Sequence, residues 1–170
     1  MASMSERCKA HPNGYGSRRG VKVDLVVLHT TESGAASAVR WFADERAKVA
    51  AHYIIGPTGL VYECVPEDMA AWHAGNFPYN LRSVGIEVAG YHDRPDTWTD
   101  AVVEECGRLV GEICRRHDIP IDRAHIVGHF DIPSPDGKHM GGAGGHRDPG
   151  PHCPFERIID IAKNAVQSVV

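Results

Sequence analysis

Runs of apolar residues broken by turn-forming ones divide this chain into short elements. VKVDLVVLHT (21–30) is rich in β-branched residues and reads as a buried strand that ends on His29 and Thr30. The SGAASAVRWFADE segment after it predicts a helix with Ser33 as N-cap and Val39, Trp41 and Phe42 on the core side. AHYIIG (51–56), a Pro-Thr-Gly turn and LVYECV (60–65) predict a β-hairpin. SVGIEVAG (83–90) is a further short buried strand. Thr97 or Thr99 can cap the following helix, in which Val102, Val103, Cys106, Leu109, Val110, Ile113 and Cys114 recur at helical spacing. AHIVGH (124–129) predicts a last strand. The C-terminal stretch from Pro154 predicts an amphipathic helix.

Alternating strands and helices with one hairpin predict an α/β domain: a mixed central β-sheet flanked by helices. With 170 residues, one domain is expected, spanning 21–170 behind an N-terminal lead-in at 1–20. The Gly- and Pro-rich segment 130–153 is too long for a simple connection and is expected to be functional.

Composition narrows the function. Hydrophobic content of 42% and charged content of 24% are ordinary globular values. A formal net charge of −4 argues against a nucleic-acid partner. No apolar run approaches the roughly 18 residues of a membrane span. The polar N-terminus has no secretory core, so synthesis in the cytoplasm without a signal peptide is expected. The five cysteines form no CxxC pair and are expected to be reduced thiols. Histidine is the outlier, at 11 residues.

His29 and His129 each end a predicted strand, where a rigid scaffold meets an open loop. They could share a metal if the strands are neighbours. A third ligand would come from the 130–153 segment: Asp148, His146 or Cys153. Spacing alone leaves the choice open, and the same histidines could simply cap strands through hydrogen bonds.

The blocks VVLHTTES, AHYIIGPTGLVYECVPEDMAAWHAG, N-LRSVGIEVAG, IVGHFDI and HRDPGP, in this order, resemble the type 2 N-acetylmuramoyl-L-alanine amidases. These zinc enzymes of bacterial and phage cell-wall turnover are related to the peptidoglycan recognition proteins. The resemblance implies one zinc per chain, held by His29, His129 and Asp148. It implies hydrolysis of the amide between the lactyl group of N-acetylmuramic acid and the L-alanine of the stem peptide. It also implies Glu87 as general base and His146 as the donor that stabilises the oxyanion. The recognition-protein branch would instead use His146 and Cys153, but their separation here is shorter than that branch's. That branch also places a tyrosine where this chain has Ala51, which puts more weight on Glu87.

Trp72, His73, Thr30, Asn80 and Arg82 are expected to contact a peptidoglycan or muropeptide substrate, although Trp72 could equally be core and Asn80 could hold a turn. His52 is expected to be structural. The expected role is wall lysis by a phage or prophage endolysin catalytic domain acting as a monomer. A cytosolic muropeptide-recycling amidase, a non-catalytic peptidoglycan-binding module and a closed structural zinc site that adds Cys153 are the rivals. The 137–145 insertion, His139 and His152 receive no role.

Overall fold

The computed structural model describes residues 5–168. Six strands form one sheet in the order β1-β5-β4-β7-β3-β8. They are β1 (Ser5–Arg7), β3 (Leu25–Thr30), β4 (Tyr53–Ile55), β5 (Val61–Glu63), β7 (Ser83–Val88) and β8 (Ile126–Gly128). β4, β7, β3 and β8 are mutually parallel, and β5 runs antiparallel to β4. A separate antiparallel pair joins β2 (Tyr15–Ser17) to β6 (Met69–Ala71). Four helices complete the chain: α1 (Ala35–Ala43), α2 (Phe77–Arg82), α3 (Asp100–His117) and α4 (Phe155–Gln167). This is the expected mixed sheet flanked by helices.

Both faces of the sheet are covered, which explains the apolar density of its strands. Every residue of β3 is buried. Val26 and Leu28 join Val84, Ile86 and Val88 in a core shared with α3 and α4. Val27 belongs to a smaller cluster on the other face, with Ala74 and Ile132. Strand alternation puts His29 on the Val27 side, and Glu87 on the side away from Ile86 and Val88.

The two long helices meet through glycine. A Cβ at Gly107 would lie 2.6 Å from Ile161 Cβ, and one at Gly111 would lie 2.7 Å from the Ala162 carbonyl oxygen. Only hydrogen at these positions allows α4 to lie so close on α3. Thr99 caps α3 by accepting from the Val102 amide, as one of the two predicted candidates. Asp118 ends that helix in the left-handed conformation.

Three local expectations need correction. The cap position of α1 is Gly34, not Ser33, which instead bridges to Gly90. Trp41 is not core: it is 46% exposed, while Phe42 beside it is buried. The segment expected as a lead-in contributes β1 to the sheet edge and β2 to the small sheet, so residues from Ser5 onward are part of the fold. All five cysteines are free thiols.

Candidate active site

Register places the central groups. In β3 and β7, His29 is the direct partner of Glu87. On the other side Leu28 pairs with Gly128, which puts His129 just beyond the end of β8. Glu87, His29 and His129 therefore stand in a row at the C-terminal ends of three adjacent parallel strands, where α/β sheets open to ligands. Asp148 reaches the row from the long 130–153 segment, whose backbone is tied back by the Phe130 amide donating to the Asp148 carbonyl at 3.0 Å.

Three side chains converge. His29 Nδ1 lies 3.1 Å from His129 Nδ1 and 3.1 Å from Asp148 Oδ2. His129 Nδ1 lies 3.2 Å from Asp148 Oδ1. All three residues are buried. Burial first, then the neighbouring His129 charge, pushes the His29 imidazole down to about 4, so it is neutral near pH 7. Burial opposes ionisation of Asp148, but its close contacts with His129 and His29 outweigh it and hold the carboxylate well below its usual range. Two imidazoles and one carboxylate suit zinc. Tetrahedral coordination at about 2.0–2.1 Å sets neighbouring ligand atoms roughly 3.3–3.4 Å apart, close to the spacing found here. The donor set fits a metal ion.

Glu87 stands next to this cluster with its Oε2 buried and without a hydrogen-bond partner among the described residues. Burial, then the Asp148 and Glu32 carboxylates, push its carboxyl well above the ordinary range. The His146 ring stacks on that of His129, with centroids 4.4 Å apart and planes 14° apart, and its outer side reaches solvent. Burial and the His129 charge lower its imidazole. The insertion builds this arrangement. The Gly141 and Gly142 amides donate to the Ile132 carbonyl, and the His146 amide donates to Gly141. A Cβ at Gly144 would sit 2.4 Å from His146 Nε2.

These groups line a cleft of about 380 Å³ together with Thr30, Trp41 and Trp72. A larger groove elsewhere, edged by β1, α3 and α4, holds none of the three metal-capable residues.

The expected substrate contacts divide. Trp72 is half-buried and faces the cleft, tilted against Phe77. Thr30 lines the cleft, with its hydroxyl donating to Glu32. Asn80 is buried, and its Oδ1 accepts from the His73 and Ala74 amides, so it holds the turn. Arg82 does not reach the cleft. It forms a two-point ion pair with Asp24 at the other end of β3 and β7, because it immediately precedes the strand that carries Glu87 at its far end. His73 is one of the residues lining the cleft, but it is buried, with its Nδ1 2.9 Å from His29 Nε2. His52 is structural as expected: its Nδ1 accepts from the Gly85 amide.

Trp41 and Glu32 are among the cleft residues that escaped sequence reasoning. Trp41 was masked by helical spacing that points to core. Glu32 takes a left-handed conformation (φ 52°) at the end of β3 and binds the His92 amide and ring. A positive φ at a glutamate has no sequence signal.

Residues 19–151 match the family described as N-acetylmuramoyl-L-alanine amidase. The chain belongs to the N-acetylmuramoyl-L-alanine amidase family. Among curated members of this amidase family, N-acetylmuramoyl-L-alanine amidase A of Achromobacter lyticus is 30% identical over 156 residues, 82% of this chain and 83% of the relative. The 1,6-anhydro-N-acetylmuramyl-L-alanine amidase AmpD of Escherichia coli K12 is 33% identical over 119 residues, 65% of this chain and 57% of the relative. Among solved structures, an AmpD derivative superposes with a TM-score of 0.75 at 24% identity, covering 95% of this chain and 96% of that one. The Staphylococcus aureus hydrolase AmiA gives 0.74 at 18% identity, covering 98% and 84%. These superpositions match the amidase fold.

Proposed function

We propose that this chain is a zinc-dependent amidase that cleaves the bond between the lactyl group of N-acetylmuramic acid and the L-alanine of a peptidoglycan stem peptide. The observation that carries the reading is the convergence of His29 Nδ1, His129 Nδ1 and the Asp148 carboxylate beside a buried, unpartnered Glu87 oxygen, in a chain of this family. One zinc ion held by those three residues would lower the pKa of a water and polarise the scissile carbonyl.

The chain's own groups do the rest. Glu87 takes the proton of the attacking water as its oxygen bonds to the carbonyl carbon. His146, over the His129 ring, donates a hydrogen bond to the carbonyl oxygen as negative charge develops there. Glu87 then passes its proton to the alanine nitrogen as the C–N bond breaks. Thr30, Trp72 and Trp41 line the cleft and contact the substrate. A single chain holds every one of these groups, so the reading needs only a monomer.

The substrate is polymeric wall peptidoglycan, cleaved in the manner of a phage or prophage endolysin. The second reading, hydrolysis of soluble recycled muropeptides, is favoured by the relatives named 1,6-anhydro-N-acetylmuramyl-L-alanine amidase. Zinc analysis together with release of new L-alanine amino termini from intact sacculi, and in parallel from soluble 1,6-anhydro-muropeptides, tests both. Release from sacculi supports lysis. Release only from the soluble substrate replaces lysis with recycling. Zinc without release from either leaves a binding module.

A further inference from the structure

Resting on the metal reading above, we propose that His73 is a positioning residue that fixes His29 in the tautomer able to bind metal through Nδ1. The argument starts at the far end of a chain of buried hydrogen bonds. Ser83 Oγ lies 2.6 Å from the Tyr79 carbonyl oxygen. A carbonyl can only accept, so the single hydroxyl proton of Ser83 is committed there. Ser83 Oγ also lies 3.1 Å from His73 Nε2, and at this contact it must accept. His73 therefore carries its proton on Nε2. Its Nδ1, 2.9 Å from His29 Nε2, is left as an acceptor. His29 donates Nε2–H to it, and the lone pair of His29 Nδ1 faces His129 Nδ1 and Asp148.

The chain is built to hold this direction. Ser83 is fully buried and His73 nearly so, and no solvent competes for the protons. The His73 ring lies on Gly85, where an added Cβ would come within 2.6 Å of its Cγ, so only glycine leaves room for the ring. Asn80 Oδ1 pins the backbone on both sides of the ring by accepting from the His73 and Ala74 amides. His129 has no such support: its Nε2 is buried without a partner among the described residues. Of the two histidine ligands, His29 alone has its tautomer set by a second layer of side chains, which is the device that raises affinity in metal sites generally.

The test separates the acceptor from the bulk of the ring. In the full chain, His73→Leu keeps volume and removes the acceptor, whereas His73→Asn keeps an oxygen near the Nδ1 position. Zinc dissociation constants are measured by competition with a chelator, and folding is checked by thermal melts. His73→Leu is expected to weaken zinc binding by roughly 10- to 100-fold. His73→Asn should recover most of that loss. Ser83→Ala, a small change in case the leucine variant does not fold, should weaken binding less than His73→Leu but measurably. Nitrogen-15 chemical shifts of the metal-free wild type should show His29 protonated on Nε2. A merely structural His73 would lower the melting temperature of both His73 variants without splitting their zinc affinities. That result, unchanged affinity in Ser83→Ala, or a His29 proton on Nδ1 overturns the proposal while leaving the amidase reading intact. A wild type that binds no zinc overturns both.

Discussion

Replacing Glu87 by glutamine should make the protein more stable and nearly inactive at the same time. The carboxylate has one oxygen buried without a partner and two other carboxylates, Asp148 and Glu32, pressing on its charge. Leaving a buried polar group unsatisfied costs about 1–3 kcal/mol, and more when it is charged. Glutamine keeps the shape and removes the charge, but still carries a polar head. A gain of about 1–2 kcal/mol is therefore expected, and at roughly 2–4 °C per kcal/mol for a chain of this size the midpoint should rise by about 2–8 °C. The gain should be largest in metal-free protein, because a cation among the three ligands relieves the same repulsion. Loss of a general base should cut turnover by about 10²–10⁴. Zinc content should stay near that of wild type, since Glu87 lies outside the set of three ligands. Calorimetry in chelator, zinc analysis and release of stem peptides from peptidoglycan measure the three effects. Turnover within tenfold of wild type would remove Glu87 from the chemistry. A melting point several degrees lower would show that the carboxylate is a structural group with a favourable folded-state partner.

Other outcomes follow from single contacts. Asp148→Ala should lose zinc, whereas Cys153→Ala should keep it, because Cys153 packs against the α3–α4 core and burial raises its thiol; elemental analysis decides, and the reverse result would move the third ligand to Cys153. Gly144→Ala directs a methyl at the His146 ring, which supplies the three atoms nearest to it, so its stability should stay within about 0.5 kcal/mol of wild type. Its turnover should fall by roughly 10- to 100-fold as the ring is displaced, and unchanged kcat would argue against a role for His146. Glu67 is half-buried, which raises its pKa, but hydrogen bonds from Arg116, Tyr53 and His117 outweigh this and bring it down to about 2. A carboxyl depressed in the folded state contributes stability above its unfolded pKa, and that stability is lost as pH falls from about 4.5 towards 2. Glu67→Gln should therefore cost on the order of 2–3 kcal/mol at pH 7 and flatten the acid limb of the stability curve, which urea titrations across pH would reveal.

Much of the site is legible in the sequence because it lies at the ends of elements that announce themselves. The β-branched run before His29, the short apolar strand containing Glu87 and the IVG before His129 each mark a strand, and a strand's end marks a loop. Thr99 marks a helix start by the same local logic, since its hydroxyl bonds an amide three residues away. Other readings failed where local pattern and environment part company. Trp41 has helical spacing with Phe42's neighbours, yet it turns to the cleft. Arg82 is close to Glu87 in sequence, but β7 carries the two to opposite ends of the sheet.

The sequence by itself determined the three strands that carry the site and the three longer helices, because burial periodicity, capping hydroxyls and turn residues act within a few positions; the three-residue strands β1, β2 and β6 and the short helix α2 are too brief to carry such a pattern. It also determined which side chains could ligate a metal. Only the tertiary structure decided that β7, β3 and β8 are neighbours, and so that Glu87, His29 and His129 stand in one row across separations of up to 100 residues. Pairing at that distance depends on how two faces of the sheet are covered. β3 is buried on both faces, so its sequence lacks the alternation that would tell one side from the other. The direction of the hydrogen bonds from Tyr79 through Ser83 and His73 to His29 was likewise set by packing, since it depends on one carbonyl lying 2.6 Å from one hydroxyl in a place that excludes water.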